Sequence, residues 1–514
     1  MAPILNKSSS MKNPGKFSFF ESGFSWFTFT VILTCACSCV YLLQTLVVNR
    51  KCISVETSLS MVTQSGTNFF TTDRPTLPSP VTELSKQIEV QTKKGTDVSR
   101  MVFAVAAAAQ HWPNRKGYIQ KWYKSVKDVR AIVWLDQEVN GTWEKNLPPF
   151  RISGDTSKFP YTYKGGMRSA IRISRIVSET FRLGLPDVDW FIMGDDDTIF
   201  FPENLAKVLS KYDPKKMFYI GSNSETHMQN ILFNYNMAFG GGGFAISYPL
   251  AKELAQMQDS CLMRYPHLFG SDDRIFSCMS ELGVTLTKEP GFHQMDIQGD
   301  ALGLLAAHPQ TPLLSLHHMD LYSPIFPSLT RHEALDHLIK ASKVESPSIL
   351  QQSICYADGK NWSLSVSWGY VVQVYKGFLT PRELETPLRT FYTLRRKNDR
   401  AEFPFNTRQT PKDLCSRPSL FFMKSVKKPS VGSEGLLESV YLLGDYLKRQ
   451  KTCFKDLQPL SSVKQIRVLK EPVKESWFET PRRSCCKVMA WSEDSIELRL
   501  SDCQSGESLT DSIQ

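Results

Sequence analysis

The spacing of apolar and polar residues changes character near residue 100. From Met101 to Ala109 every residue is apolar, and an uncharged run of that length predicts a strand buried on both faces of a parallel sheet. Pro113 stands where a helix can begin, with Tyr118, Ile119 and Trp122 on one face. Ala131 to Leu135 reads as a second buried strand. Gly166 to Leu183 predicts an amphipathic helix, with Ala170, Ile171, Ser174, Val177 and Phe181 along one side and Gly184 as its stop. Trp190 to Met193 is a third strand and Pro202 to Tyr212 a helix. Met217 to Ile220 and Phe244 to Ile246 are strands, and Pro249 to Gln258 a further helix. Strand and helix in alternation argue for an open α/β sheet with function at the carboxyl ends of its strands.

Other stretches carry different signals. No charge interrupts Ser22 to Asn49, and Phe24 to Val48 is long and apolar enough for a bilayer-spanning signal anchor. Three lysines precede it and two basic residues follow, a bias toward a cytosolic N-terminus. Ser54 to Val98, rich in Ser, Thr and Pro, reads as a stem with no apolar face to bury. Past the sheet, Trp362 to Tyr375 is strand-like, Pro381 begins a short acidic helix, and Phe421 onward holds little beyond cysteines and basic residues.

Composition narrows the class. With 514 residues, 41% apolar and 11% aromatic, the chain is globular and too long for a small disulfide scaffold. Its net charge of +10 comes without zinc-finger spacing, an RNA-binding signature or a basic heptad helix, so nucleic acid is not an expected partner. Of 12 cysteines, eight lie beyond the stem, a set that suits an oxidising lumen while leaving the pairing open. Cys485 and Cys486 are expected to take different partners. Asn140 and Asn361 head glycosylation triplets.

The candidate chemistry lies where strands end in acids. Asp195-Asp196-Asp197 follows the third strand after Gly194. Three adjacent carboxylates repel one another unless a divalent cation or a basic partner compensates, and oxygen ligands favour Mg²⁺ or Mn²⁺. Gly240 to Gly243 permits close backbone approach to a ligand. In Gly270-Ser271-Asp272-Asp273-Arg274, Ser271 is expected to cap a helix through Leu282, and a carboxylate there suits a general base.

These stretches together resemble the Fringe-type β-1,3-glycosyltransferases, most of all the plant Fringe-related family long labelled a domain of unknown function. The resemblance rests on Trp190 to Asp197, the glycine-rich Phe239 to Phe244, Asp272-Asp273, His317-His318, Ile152 to Thr156, Arg168 to Arg175, Tyr235 to Pro249 and Gly291 to Gln294. It implies a GT-A type, Rossmann-like open sheet, a UDP-sugar donor, Mn²⁺ (or Mg²⁺), inversion at the anomeric carbon, and a single-pass type II Golgi membrane protein with a lumenal catalytic domain. Carried over by residue, Asp197, Asp195 and His318 would hold the metal, with His317 and His293 as the other candidates. Asp195, Asp196, Gly241, Gly242, Gly243 and Arg172 would meet the donor, and Asp273 beside Asp272 would be the base.

The expected layout is a cytosolic tail (1–21), a transmembrane anchor (22–49), a stem (50–98), a GT-A domain (99–330) and a C-terminal α+β extension (331–514). The expected activity moves a hexose or N-acetylhexosamine from a UDP-sugar to a hydroxyl of a glycan, glycoprotein or small glycoside, with β-1,3 linkage. Two other readings are a haloacid-dehalogenase-type phosphatase, through Asp195-x-Asp197, and a catalytically silent lumenal glycan-binding or scaffold protein.

Overall fold

The computed structural model describes residues 96–511, except 358–360, 395–401, 430–434, 445–452 and 454–459, together with Ser38. The expected tail, anchor and nearly all of the stem lie outside the described residues. Among those described, no helix is long and apolar enough to cross a membrane.

The wholly buried runs form the centre of a seven-stranded sheet. Its strands are β1 (Met101–Ala106), β2 (Arg130–Leu135), β3 (Phe150–Ile152), β4 (Trp190–Asp195), β6 (Tyr219–Gly221), β7 (Phe244–Ser247) and β8 (Leu286–Lys288), while β5 (Ile199–Phe200) pairs outside it with Ser315–Leu316. The order is β3-β2-β1-β4-β7-β6-β8. β1 lies parallel to β2 and β4, with Ala106 beside Asp195. β7 runs antiparallel to both neighbours. Successive strands are laid outward on one side of β1 and then restart on the other with β4, which leaves a crevice at the carboxyl ends of β1 and β4.

Both faces of the sheet are covered. Helices Ser169–Phe181, Tyr248–Arg264 and Ser271–Glu281 bury one face against Val102, Ala104, Phe191 and Ile246. The predicted stripe of the first of these is buried at Ala170, Ile171, Ser174 and Val177, and burial extends to Arg172 and Arg175. Cys261–Cys278 fastens the second helix to the third. The opposite face begins a core that runs from Phe103, Trp122 and Phe200 through Leu335 and Leu338 to Val366, Phe421 and Ile496. Gln91–Gln514 is accordingly one compact unit.

The last residues of that core fill a closed eight-stranded barrel. Its strands, in order around the wall, are Gln352–Ala357, Trp362–Ser367, Val371–Lys376, Ser419–Lys427, Leu437–Leu443, Gln465–Lys470, Ser495–Ser501 and Cys485–Trp491. The expected α+β extension is thus chiefly a β-barrel, preceded by the helix Arg331–Ser342. Alternate residues point inward, as in the strictly alternating burial of Ser495–Ser501. Closure rests on a single registered pair, Ile354 with Cys485, and the Cys355–Cys486 disulfide staples that weak seam covalently. Cys485 pairs with Cys503 and Cys415 with Cys453, so the adjacent cysteines do take different partners.

One barrel strand ends on a buried cation. Lys470 is 4% exposed, and burial pulls its ammonium down to about 8 from 10.5, against the attraction of Glu345, Asp502 and Glu471. The unfolded chain holds this proton more tightly, so the penalty is complete below pH 8 and fades as pH rises toward the unfolded value. Lys470→Met is expected to stabilise the protein by about 1–3 kcal/mol at pH 7, with the gain shrinking toward pH 10. Thermal unfolding at both pH values checks this; equal gains at the two would contradict it.

Candidate active site

The crevice at β1 and β4 gathers the acids. β4 ends at Asp195, and the chain turns tightly, Thr198 N donating to the Asp195 carbonyl at 3.1 Å. Thr198 Oγ1 accepts from Asp195 N and donates to the Gly241 carbonyl, both at 2.8 Å, tying the acidic turn to the glycine run. Gly194 is required here: a Cβ would come within 2.6 Å of the Phe200 ring.

Asp195, Asp197 and His317 each present a ligand atom, all within 4.8 Å of one another. His317 Nε2 stands 3.1 Å from Asp197 Oδ1 and 3.8 Å from Asp195 Oδ2. Asp197 Oδ1 is nonetheless a buried oxygen without a hydrogen-bond partner among the described residues. Two carboxylates and an imidazole that converge on one place are a donor set that fits a divalent cation.

Electrostatics separates the three acids. Burial pushes Asp195 up to about 7, helped by Asp197, Asp272 and Asp196 and opposed by His317. Burial also acts to raise Asp197, but His317 and Arg115 outweigh it and hold this carboxyl below its usual range. Burial would lower His317, yet Asp197 and Asp195 hold it up at about 9.

Of the candidate histidines, His317 and not His318 is the one whose nitrogen converges with Asp195 and Asp197. His318 has a φ of +53°, a left-handed conformation that histidine adopts more readily than most residues. Its ring lies against that of His317, with centroids 3.8 Å apart and planes tilted by 30°, and its Nδ1 stands 3.3 Å from Asp296. His293 is drawn elsewhere, to Glu225 and His308.

The glycine run serves this histidine. A Cβ on Gly241 would fall 2.0 Å from His317 Cε1, and one on Gly242 would press the backbone of His293 and Gln294. Gly243, with φ +84°, closes the turn by donating to the Gly240 carbonyl at 3.0 Å. Gly241→Ala is expected to cost about 1–3 kcal/mol and to displace His317. Its Mn²⁺ affinity should fall while the fold persists, as titration beside thermal unfolding would record; unchanged affinity would dissociate His317 from the centre.

The other expected residues divide by the partners they hold. Asp196 is buried, accepting from Ala108 N and from Arg115. Arg172 donates to the carbonyls of Ala107 and Trp134 at 3.0 and 3.1 Å. Its guanidinium therefore braces the carboxyl ends of β1 and β2, where direct donor contact was the expectation. Gly270, not Ser271, caps the helix bearing the second acid pair, and Ser271 Oγ instead donates to Asp272 at 2.9 Å. Asp272 also accepts from Gly240 N, and burial raises its carboxyl. Asp273 is raised by burial and by Asp272, against Arg274, and its carboxylate holds no hydrogen bond among the described residues.

One charged partner was missed from sequence. Arg115, in the first turn of the helix Trp112–Tyr123, reaches Asp197 at 2.7 Å and Asp196 at 3.1 Å. It is the basic compensation that three adjacent carboxylates require. The signal was its place one turn into the helix that follows the first strand.

Comparison with known proteins finds several similarities. Residues 101–318 match the family described as Fringe-like. A β-1,3-glucosyltransferase of Mus musculus is 29% identical over 107 residues, covering 21% of this chain and 21% of that protein, so the chain matches about a fifth of the relative's length. Two solved structures of LgtC, one an active-site mutant and one described as a galactosyltransferase with donor and acceptor sugar analogues, are 13% and 14% identical. Each covers 40% of this chain and 76% of its own, with TM-scores of 0.24 and 0.25. A further family match spans residues 229–486, about half of the chain, from the approach to the glycine run to the last strands of the barrel. By that match the protein belongs to the family described as protein of unknown function, DUF604, and carries a Fringe-like region over its sheet.

Proposed function

We propose that this protein is an inverting, metal-dependent glycosyltransferase of GT-A type that moves a hexose or N-acetylhexosamine from a UDP-sugar to a hydroxyl of a glycan, glycoprotein or small glycoside, forming a β-1,3 linkage. The observation that carries the reading is the convergence of Asp195, Asp197 and His317 around the unpartnered Asp197 Oδ1. The Fringe-like match and the β-1,3-glucosyltransferase relative support it.

Asp195, Asp197 and His317 would hold Mn²⁺ (or Mg²⁺), which when bound supplies positive charge against the diphosphate leaving group. Arg115 balances Asp196 and Asp197 beside it. Asp272, pinned by Gly240 and Ser271, fixes the position of its neighbour. Asp273, uncommitted and raised from its ordinary value by burial, takes the proton of the acceptor hydroxyl as that oxygen attacks the anomeric carbon. The bond to the diphosphate oxygen breaks as the new glycosidic bond forms on the opposite face, which inverts the configuration with no covalent enzyme intermediate.

A Golgi setting, as a type II membrane protein with this body in the lumen, is part of the same proposal. The uncharged Ser22 to Asn49 segment and four disulfides support it. The test is hydrolysis of a panel of UDP-hexoses and UDP-N-acetylhexosamines with Mn²⁺ or EDTA. Turnover of one donor, lost in EDTA, is expected. Failure of folded protein to bind or turn over any donor would overturn the transferase in favour of a glycan-binding protein.

A further inference from the structure

A second cluster lies apart from the acids, on the segment that leads into Gln294. His293 and His308 are 5% and 2% exposed, and their Nε2 atoms stand 2.9 Å apart. Each ring's other nitrogen faces an acceptor. His308 Nδ1 lies 2.8 Å from the Pro309 carbonyl, and a carbonyl only accepts, so His308 carries hydrogen on Nδ1. His293 Nδ1 lies 3.1 Å from Glu225 Oε1, while Glu225 Oε2 accepts from Met295 N at 2.8 Å. A carboxylate accepts at both oxygens, so His293 carries hydrogen on Nδ1 as well.

The count of hydrogens then falls short. Three contacts need three hydrogens, and two neutral imidazoles bring two. Both Nε2 lone pairs face the same gap, which only something positive can fill. An extra proton would have to be held between the rings with Glu225 as its counter-charge, since burial and its histidine neighbour drive His308 well below its ordinary value. A metal ion meets the same demand, with Glu225 beside it as counter-charge and the groove lined by both rings open to complete its coordination. Imidazole nitrogens bound to one ion at about 2.0–2.1 Å stand roughly 3 Å apart, and a carboxylate or carbonyl on the far nitrogen is the usual support of a metal-bound histidine.

We propose that His293 and His308 form a second cation site, of the imidazole-binding class represented by Zn²⁺, with Glu225 and the Pro309 carbonyl orienting its two ligands. Both histidines line a groove of about 880 Å³ that also meets Tyr235, Phe405 and Arg483. The remaining coordination positions therefore go to water or to an oxygen of a molecule in that groove. The site stands on its own geometry, whatever the Asp195 centre does, although the two are neighbours: the Gln294 carbonyl lies 3.1 Å from His317 Nδ1.

The test uses the full chain, stripped with EDTA and carrying Asp197→Asn to disable the first centre. Calorimetry with Zn²⁺ is expected to find one equivalent still bound, and Co²⁺ to give visible absorption bands of nitrogen coordination. His308→Gln should abolish both. Glu225→Gln keeps the shape of the supporting residue but not its charge, and should weaken Zn²⁺ about 10–100-fold in a chain that still unfolds cooperatively. Absence of Zn²⁺ binding in the Asp197→Asn chain would overturn the proposal, as would Zn²⁺ binding indifferent to both His308→Gln and Glu225→Gln. A pair that titrates as one shared proton and takes no metal would overturn it too.

Discussion

Asp197→Asn is expected to abolish metal-dependent UDP binding and to lower turnover by about three orders of magnitude, the scale on which a bound cation stabilises a leaving diphosphate. Asp197 is the hub of the centre: it meets His317 and Arg115 at 3.1 and 2.7 Å and keeps one oxygen without a hydrogen-bond partner. The amide preserves volume while removing the charge that holds both cations. Arg115 and His317 then lose their principal partner, so some stability is lost as well, because removing one member of a buried pair leaves the other uncompensated. Thermal unfolding separates the two effects. A variant that folds and binds UDP with Mn²⁺ as the parent does would sink the assignment.

The second large effect is kinetic. Asp273→Asn is expected to reduce kcat by about 10²–10⁴-fold with UDP affinity nearly unchanged, because Asp273 stands outside the cluster of Asp195, Asp197 and His317. Asp272→Asn is the comparison. Its carboxylate accepts from Gly240 N and Ser271 Oγ, so its replacement should loosen the glycine turn and weaken metal binding along with turnover. A larger, purely kinetic loss at Asp272 would exchange the roles of the two.

What could be read from the sequence was what is local in the chain. Met101 to Ala106 and Trp190 to Met193 announced the central strands because burial on both faces leaves no polar position. The direction of β7 was not legible: Phe244–Ser247 pairs antiparallel with β4 and β6, and a four-residue apolar strand has no directional mark. β3 and β8 are three residues each and mostly polar or half-exposed, too short to carry a period. The barrel did leave a trace, in the alternation of Ser495 to Ser501, but its closure depends on Ile354 meeting Cys485 across 131 residues, which no local pattern encodes.

The site divides in the same way. Asp195 to Asp197 and Asp272-Asp273 are contiguous, so their chemistry was visible. Adjacent in sequence, His317 and His318 could not be told apart until the fold brought only the His317 nitrogen to Asp195 and Asp197. Arg115 meets Asp196 across 81 residues and His293 meets Glu225 across 68, and such pairs exist only once the sheet has brought its strand ends together. The glycine run was legible as a place of close approach, but its neighbour, the His317 ring, was not.

The most direct test of the central claim is Mn²⁺ binding to the full chain, followed by the electron paramagnetic resonance of the free ion, with and without UDP. One Mn²⁺ held weakly alone and more tightly with UDP, and lost in Asp197→Asn, is the result this account requires. Mn²⁺ binding that ignores both UDP and Asp197→Asn, or no binding at all, would contradict it.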